Sequence, residues 1–385
     1  MLGKGEVTLA MEVLVLYCDT GGGHHTAALA MAEELEKRGH RVTMLDPFTL
    51  AGKSAAGIVG NSYIKLVQHS PKSFGALYAL GKAYDDTLSV HSPVYWANGK
   101  LAEAMKDYLE AHPFEWIVTT HLFPAQIVTH LAQKQCALPK TLFISTDYTC
   151  IPFFEETNCD YYGIPAADLE EAFGSRGIPL DKMLCDGIPV RAEFTEQESK
   201  AACRKQLGWK DEQKNILLSG GSMGAGQIVE AAAVLDAFLQ ANPAYRLTIV
   251  CGSNRKLYEH LLERYRGHGN VEILGYTDQM AVYVKAADVF ITKPGGLSST
   301  EAAVCGVPLI HLSPIPGCET SNAEYFSSHG MSLYVPKPGP PLLDALETFL
   351  EEGVCEKMVL AQRRCINSHA ASDYCDAIEA RSEKG

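Results

Sequence analysis

No window of the 385-residue sequence approaches the ~20 consecutive apolar residues of a membrane-spanning helix, so a threaded membrane protein is not expected. The twelve cysteines, at 18, 136, 150, 159, 185, 203, 251, 305, 318, 355, 365 and 375, include no close pair of the kind a zinc site or a redox dithiol needs. They read as small core residues. Basic residues are outnumbered, 33 Lys and Arg against 46 Asp and Glu, and the net charge of −13 argues against nonspecific binding to nucleic acid. Residues 1–10 carry Lys4 and Glu6 and lack the basic end and apolar stretch of a secretory signal. These absences predict a cytoplasmic protein in reducing surroundings, peripheral at most to the inner face of the cell membrane.

What is present is a globular composition, 46% hydrophobic and 21% charged, in a chain too long for one compact core, so two domains are expected. Short apolar runs that read as buried parallel strands alternate with helical patterns, the signature of doubly wound α/β architecture. The pattern occurs twice, with strands expected at 12–17, 41–45, 116–119, 141–145 and 183–185, then at 215–219, 246–251, 271–274, 289–292 and 307–311. Asp186-Gly187-Ile188-Pro189-Val190 reads as the linker, and 194–207 as the opening helix of the second half. Ligands of open α/β sheets sit beyond the carboxyl ends of the strands, so the facing loops of the two halves are where chemistry is expected.

The first such loop is Asp19-Thr20-Gly21-Gly22-Gly23-His24-His25-Thr26, ahead of a helical run at 27–38. Glycines such as Gly22 and Gly23 let backbone approach a ligand, and the free N–H groups of a helix start suit a phosphate or an oxyanion. The dinucleotide pattern Gly-x-Gly-x-x-Gly cannot be written here, although Asp46 keeps a ribose partner open. At this position the His24 imidazole can accept a proton from a hydroxyl near neutral pH. The alternative is that it caps the helix, which is the preferred reading for His25. In the second half, the turn 219–226, with Gly220, Gly221, Ser222, Met223 and Gly224, and the stretch Thr292-Lys293-Pro294-Gly295-Gly296-Leu297-Ser298 are two further strand-to-helix loops. Tight packing explains one such loop more easily than two.

Four motifs in the second half, Gly220 to Ala225, Lys293 to Ala302, Gly306 to Pro308 and Pro316 to Ala323, together resemble the donor domain of family 28 glycosyltransferases. The first half resembles the monogalactosyldiacylglycerol synthase and processive diacylglycerol glucosyltransferase branch, through Gly21-Gly22-Gly23-His24, Thr119-Thr120-His121-x-Phe123-Pro124, Thr146-Asp147-Tyr148 and Gly187-Ile188-Pro189-Val190. Similarity to MurG is clearer in the second half. The resemblance spans roughly 12–330. It implies a GT-B fold, two Rossmann-like domains facing across a cleft: 1–190 for the acceptor, with an acceptor or membrane segment near 47–100, and 191–360 for the nucleotide-sugar donor. By analogy with GT-B folds, 361–385 returns to the first domain.

The resemblance further implies a UDP-sugar donor as substrate and no separate cofactor. It places the diphosphate against Gly220, Gly221, Ser222, Met223 and Gly224, Lys293, and the helix start at Gly295, Gly296, Leu297 and Ser298. Glu301 then takes the ribose hydroxyls, with a simple first-turn acid as the alternative. Glu319 and Asn322 are implied contacts of the donor sugar or adjoining phosphate. Cys318 departs from the family, whose lipid synthases usually have Gln there, and leaves the choice of sugar open. The implied reaction is a single inverting displacement, with His24 as base and Asp147 either assisting it or structural. No Asp-x-Asp follows a strand in the donor half, so backbone N–H groups and helix dipoles rather than a metal are expected to hold the diphosphate.

The window 47–84 holds Lys53, Lys65, Lys72 and Lys82 and no acid, a charge of +4, beside many apolar side chains. It suits docking to an anionic bilayer that carries a lipid acceptor, diacylglycerol in the related enzymes. Packing of a helical insertion on the first domain is the other reading. Two other functions stay open at this stage: a UDP-sugar 2-epimerase on the same scaffold, and a noncatalytic nucleotide-sugar binding protein.

Overall fold

The computed structural model describes residues 10–18, 22–51 and 91–382. Two six-stranded parallel sheets form the frame. The first contains β1 (Glu12–Leu16), β2 (Arg41–Leu45), β3 (Trp116–Thr119), β4 (Lys140–Ile144), β5 (Tyr161–Gly163) and β6 (Met183–Leu184), in the order β2-β1-β3-β4-β5-β6. The second contains β7 (Lys214–Ser219), β8 (Tyr245–Val250), β9 (Val271–Leu274), β10 (Val289–Thr292), β11 (Leu309–Leu312) and β12 (Leu333–Val335), in the order β12-β11-β10-β7-β8-β9. The central strands β1, β3, β4, β7 and β10 are buried nearly throughout, as parallel strands covered on both faces by helices must be.

The strand order reverses between β1 and β3 and again between β7 and β10, and loops diverge at such switch points to leave a crevice. Helices Gly22–Lys37 and Leu122–Gln133 leave the first crevice, and helices Ile228–Ala241 and Gly296–Cys305 leave the second. The described parts of the glycine-rich loops singled out in the sequence lie at these two places, which makes the GT-B architecture the observed one.

The sequence expectation misses β5 and β12, three residues each, which are too short for an apolar run to stand out. The single helix expected at 194–207 is two, Ala192–Thr195 and Lys200–Gln206. Ser199 is extended between them, and its hydroxyl caps the second by accepting from Ala202 N at 3.2 Å. Of the basic window at 47–84, only the 3₁₀ turn Pro47–Ala51 is described. Lys53, Lys65, Lys72 and Lys82 lie outside the described residues, as do Asp19 to Gly21.

The chain recrosses between the halves near its end. Helix Ala370–Ser382 buries Ala370, Tyr374, Cys375 and Ile378 in one cluster with Val13, Val15, Met31, Leu35 and Trp116 of the first half. Full burial of a single large aliphatic side chain contributes on the order of 1.5–3 kcal/mol, so this apolar face outweighs the half-exposed ion pairs around it. Arg38 fixes the register: it donates to Ser372 O at 2.9 Å, to Ser372 Oγ at 2.8 Å and to Glu379 Oε2 at 3.0 Å. The two crossing segments are also tied to each other, Asn367 Nδ2 donating to Asp186 O at 2.7 Å and Tyr374 Oη to Gly187 O at 2.8 Å.

Candidate active site between the two halves

His24 is the third residue of helix Gly22–Lys37, at the β1–β3 switch point. Its Nδ1 lies 2.9 Å from Thr120 O, in the loop after β3, and 2.9 Å from Thr146 Oγ1, in the loop after β4. A carbonyl oxygen only accepts, so Nδ1 must carry the proton and the lone pair is on Nε2, which has no hydrogen-bond partner among the described residues. Thr120 also donates its hydroxyl back to His24 O at 2.8 Å, locking strand loop and helix start together. Burial holds the His24 pKa below the ordinary 6.5, and the Asp147 carboxylate and the Thr120 hydrogen bond oppose that shift. The imidazole is therefore neutral at pH 7.

A second histidine, part of the Thr119 to Pro124 motif but given no role there, stands edge-on to the first with ring centroids 4.3 Å apart. His121 accepts from Phe123 N at 3.1 Å through Nδ1, which caps helix Leu122–Gln133. Burial, and then the neighbouring His24, push its pKa well below 6.5. A signal for it existed, since a histidine directly after a strand and before a helix is in a capping position.

The two halves meet at this point. Gly22 N donates to Ser222 Oγ at 3.2 Å, and a Cβ on Gly22 would lie 2.5 Å from that oxygen. A Cβ on Gly23 would meet Leu297 Cβ at 3.7 Å. A Cβ on Gly296 would lie 1.9 Å from Thr146 O, so the start of helix Gly296–Cys305 rests directly on the backbone of the β4 loop. Gly22, Gly23, Gly296 and Leu297, expected to line a phosphate cradle, thus also form the contact between the halves.

The loop after β7 is a compact turn. Gly221, at φ +73°, donates to Ser219 Oγ at 3.1 Å, and Gly224 donates to Gly221 O at 3.0 Å. Gly220 and Gly224 are glycines for packing, because a Cβ would lie 2.4 Å from Ala225 O in one case and 2.1 Å from Cys251 O in the other. The exposed Ser222 and Met223 leave their backbone N–H groups without acceptors among the described residues. Facing them, Gly295 caps helix Gly296–Cys305 without a side-chain bond, and the first intrahelical bond reaching back to it is Ser299 N to Gly295 O at 3.0 Å. The N–H groups of Gly296, Leu297 and Ser298 are therefore the unpaired donors of a helix start. Lys293 stands between the two donor sets, ion-paired to Glu319 Oε1. Beside it lies a small hollow bounded by Ser219, Gln227, Lys293, Ser313 and Thr292, whose buried Oγ1 has no partner among the described residues. Donors converging from two loops and a lysine can neutralise a diphosphate. No cluster of metal-ligating side chains occurs among the described residues.

Glu301 is half-buried and makes no hydrogen bond among the described residues. Burial pushes its pKa up to about 8, Glu193 adding to the shift and Arg191 opposing it. A carboxyl held in that state is ready to be satisfied by hydroxyl donors. Glu319 and Asn322, the implied donor contacts, are both held by protein groups. Glu319 is buried, with one oxygen on Lys293 and the other accepting from Ile315 N at 2.8 Å. Asn322 has no exposed surface: Nδ2 donates to Asp147 Oδ1 at 2.8 Å and to Pro294 O at 3.0 Å, while Oδ1 accepts from Tyr148 N at 2.7 Å. In this arrangement it bridges the halves. Asp147 accordingly makes no hydrogen bond to His24 and acts on it through charge alone. Cys318 places its thiol on the same carboxylate.

This is the architecture of a nucleotide-sugar glycosyltransferase, and comparisons with known proteins agree. Residues 24–190 match the model of the monogalactosyldiacylglycerol (MGDG) synthase family, and residues 215–371 that of the glycosyltransferase family 28 C-terminal domain. The first half is thus of the MGDG synthase type and the second of the family 28 glycosyltransferase type, the two matches together spanning most of the chain. It is 25% identical over 328 residues to the processive diacylglycerol beta-glucosyltransferase of Staphylococcus carnosus, covering 84% of this chain and 81% of that one. In fold it is similar to Acinetobacter baumannii MurG, with a TM-score of 0.60 at 17% identity over 96% of this chain and 99% of that one. It is also similar in fold to a putative UDP-N-acetylglucosamine 2-epimerase of Listeria monocytogenes, with a TM-score of 0.64 at 11% identity over 98% of each chain. Fold alone therefore does not separate transferase from epimerase.

Proposed function

We propose that this chain transfers a hexosyl group from a UDP-sugar to a lipid hydroxyl, that of diacylglycerol, with inversion at the anomeric carbon. The observation that carries the reading is the His24 tautomer: Nδ1–H is held by Thr120 O, which leaves the Nε2 lone pair without a partner among the described residues, one position along from Gly23, which packs toward Leu297 of the donor-half helix. In the reaction the acceptor oxygen bonds to the anomeric carbon as its proton passes to Nε2, and the bond from that carbon to the diphosphate oxygen breaks. The leaving UDP is met by the N–H groups of Ser222, Met223 and Gly296 to Ser298, and by Lys293. Preorganised donors of this kind supply most of the stabilisation where charge develops, and the base contributes typically 10²–10⁴-fold.

The acceptor assignment is supported by the name of the Staphylococcus carnosus relative and by the family of the first half. We place the protein at the cytoplasmic surface of an anionic bilayer, where such an acceptor resides; no helix among the described residues is long and apolar enough to cross a membrane. The test is UDP release from UDP-glucose, UDP-galactose and UDP-N-acetylglucosamine, with and without anionic liposomes containing diacylglycerol, for the wild type and His24→Ala. Release that needs the lipid, selects one donor and vanishes in the variant is expected. Lipid-independent 2-epimerisation of UDP-N-acetylglucosamine would replace this reading with the epimerase one.

A further inference from the structure

Thr146 contacts the His24 imidazole from a turn that the second half holds. Its carbonyl bears on Gly296, and the two residues after it are bonded to that half. Asp147 Oδ1 and Tyr148 N are both on the Asn322 carboxamide, at 2.8 Å and 2.7 Å. Tyr148 Oη lies 2.8 Å from Thr300 Oγ1, and because Thr300 donates to Gly296 O at 2.7 Å, the tyrosine is the donor. Its ring is stacked on Tyr325, centroids 4.8 Å apart. Tyr148 itself is buried and makes no hydrogen bond to His24.

We propose that Thr146 is a positioning residue through which the second half sets the orientation of the His24 imidazole, so that the base is in working geometry only when Gly296, Thr300 and Asn322 are docked on the 146–148 turn. The inference rests on the reading of His24 as base. Its consequence is that the half presenting the donor also completes the acceptor's base, and an undocked enzyme does not activate water against a bound nucleotide sugar. The groups that face the imidazole and share its titration are His121, from the loop after β3, and Asp147, from the turn itself.

The test is a double-mutant cycle on lipid-dependent UDP release, with pH profiles. Thr146→Val, which keeps the shape and removes the hydroxyl, is expected to lower kcat roughly tenfold, part of what a general base supplies. The donor KM stays unchanged, and the acid limb moves to lower pH because an acceptor that favours the imidazolium is gone. Thr146→Ser restores both and excludes a folding defect. Tyr148→Phe lowers kcat in the wild type but adds nothing in the Thr146→Val background, since both act through one contact. Full multiplication of the two effects, or a Thr146→Val enzyme with unaltered kcat and acid limb, overturns the proposal. An active His24→Ala enzyme would instead remove the base assignment on which it rests.

Discussion

Asn322 and Asp147 are 175 residues apart in sequence and joined by a hydrogen bond of 2.8 Å across the junction of the two halves. The same carboxamide holds Tyr148 N and Pro294 O, and the asparagine has no exposed surface. Removing it leaves the buried Tyr148 N and Pro294 O without their partner and takes one donor from the Asp147 carboxylate, and an unsatisfied buried group costs about 1–3 kcal/mol. Asn322→Ala is therefore expected to destabilise the protein by about 3 kcal/mol or more. Urea unfolding followed by tryptophan fluorescence checks this, and stability equal to wild type would show that the bridge contributes nothing in solution.

The pH dependence of the reaction follows from the direction of the His24 shift. The working form is the neutral imidazole, and burial lowers its pKa below 6.5, so the acid limb of kcat/KM is expected below pH 6.5 and this group leaves the rate flat from pH 7 to 8. The Asp147 carboxylate favours the imidazolium and raises the pKa. Asp147→Asn removes that charge and moves the limb further down. A limb that moves up would mean that Asp147 acts on His24 through something other than its charge.

Much of this arrangement was legible in the sequence. Glycine clusters after apolar runs placed His24, the Gly220 to Gly224 turn and the Gly295 to Ser298 helix start at strand ends, and those ends coincide with the two switch points. The His24 tautomer was not legible, because it depends on Thr120 and Thr146, 96 and 122 residues away, and no periodicity links them. Motif position suggested a donor contact for Asn322 and carried no information about the bonds to Asp147, Tyr148 and Pro294 by which the same buried side chain bridges the halves. The short strands Tyr161–Gly163 and Leu333–Val335 owe their existence to neighbours already in the sheet rather than to local propensity.

Glu301 predicts a proton linkage in donor binding. With a pKa of about 8 in the free protein, the carboxyl is largely protonated at pH 7, and a ribose diol that donates to the ionised form lowers that pKa. Binding then releases a proton, so UDP affinity should rise with pH up to about 8 and level off above it. Titration calorimetry in two buffers of different ionisation enthalpy reads the released proton directly. Glu301→Gln should bind more weakly and show no release from this group; an unchanged release in the variant would assign the proton elsewhere.

The closeness of the halves can be graded with three glycines. At Gly23 an added methyl group would meet Leu297 Cβ at 3.7 Å, an ordinary contact, and Gly23→Ala should leave kcat/KM within about twofold of wild type. At Gly22 it would fall 2.5 Å from Ser222 Oγ, the end of a side chain that can rotate away at the loss of one hydrogen bond to Gly22 N, for which a several-fold decrease is expected. At Gly296 it would fall 1.9 Å from Thr146 O and 2.9 Å from its carbonyl carbon, backbone atoms of the turn that also touches His24. That contact cannot be relieved by a rotamer change, so Gly296→Ala must push the halves apart, and displacement by about 1 Å of reacting groups costs on the order of a hundredfold in rate. The enzyme should nevertheless fold, since alanine is the better helix former. Equal activity of the three variants would mean that the docked arrangement is not the one in which transfer occurs.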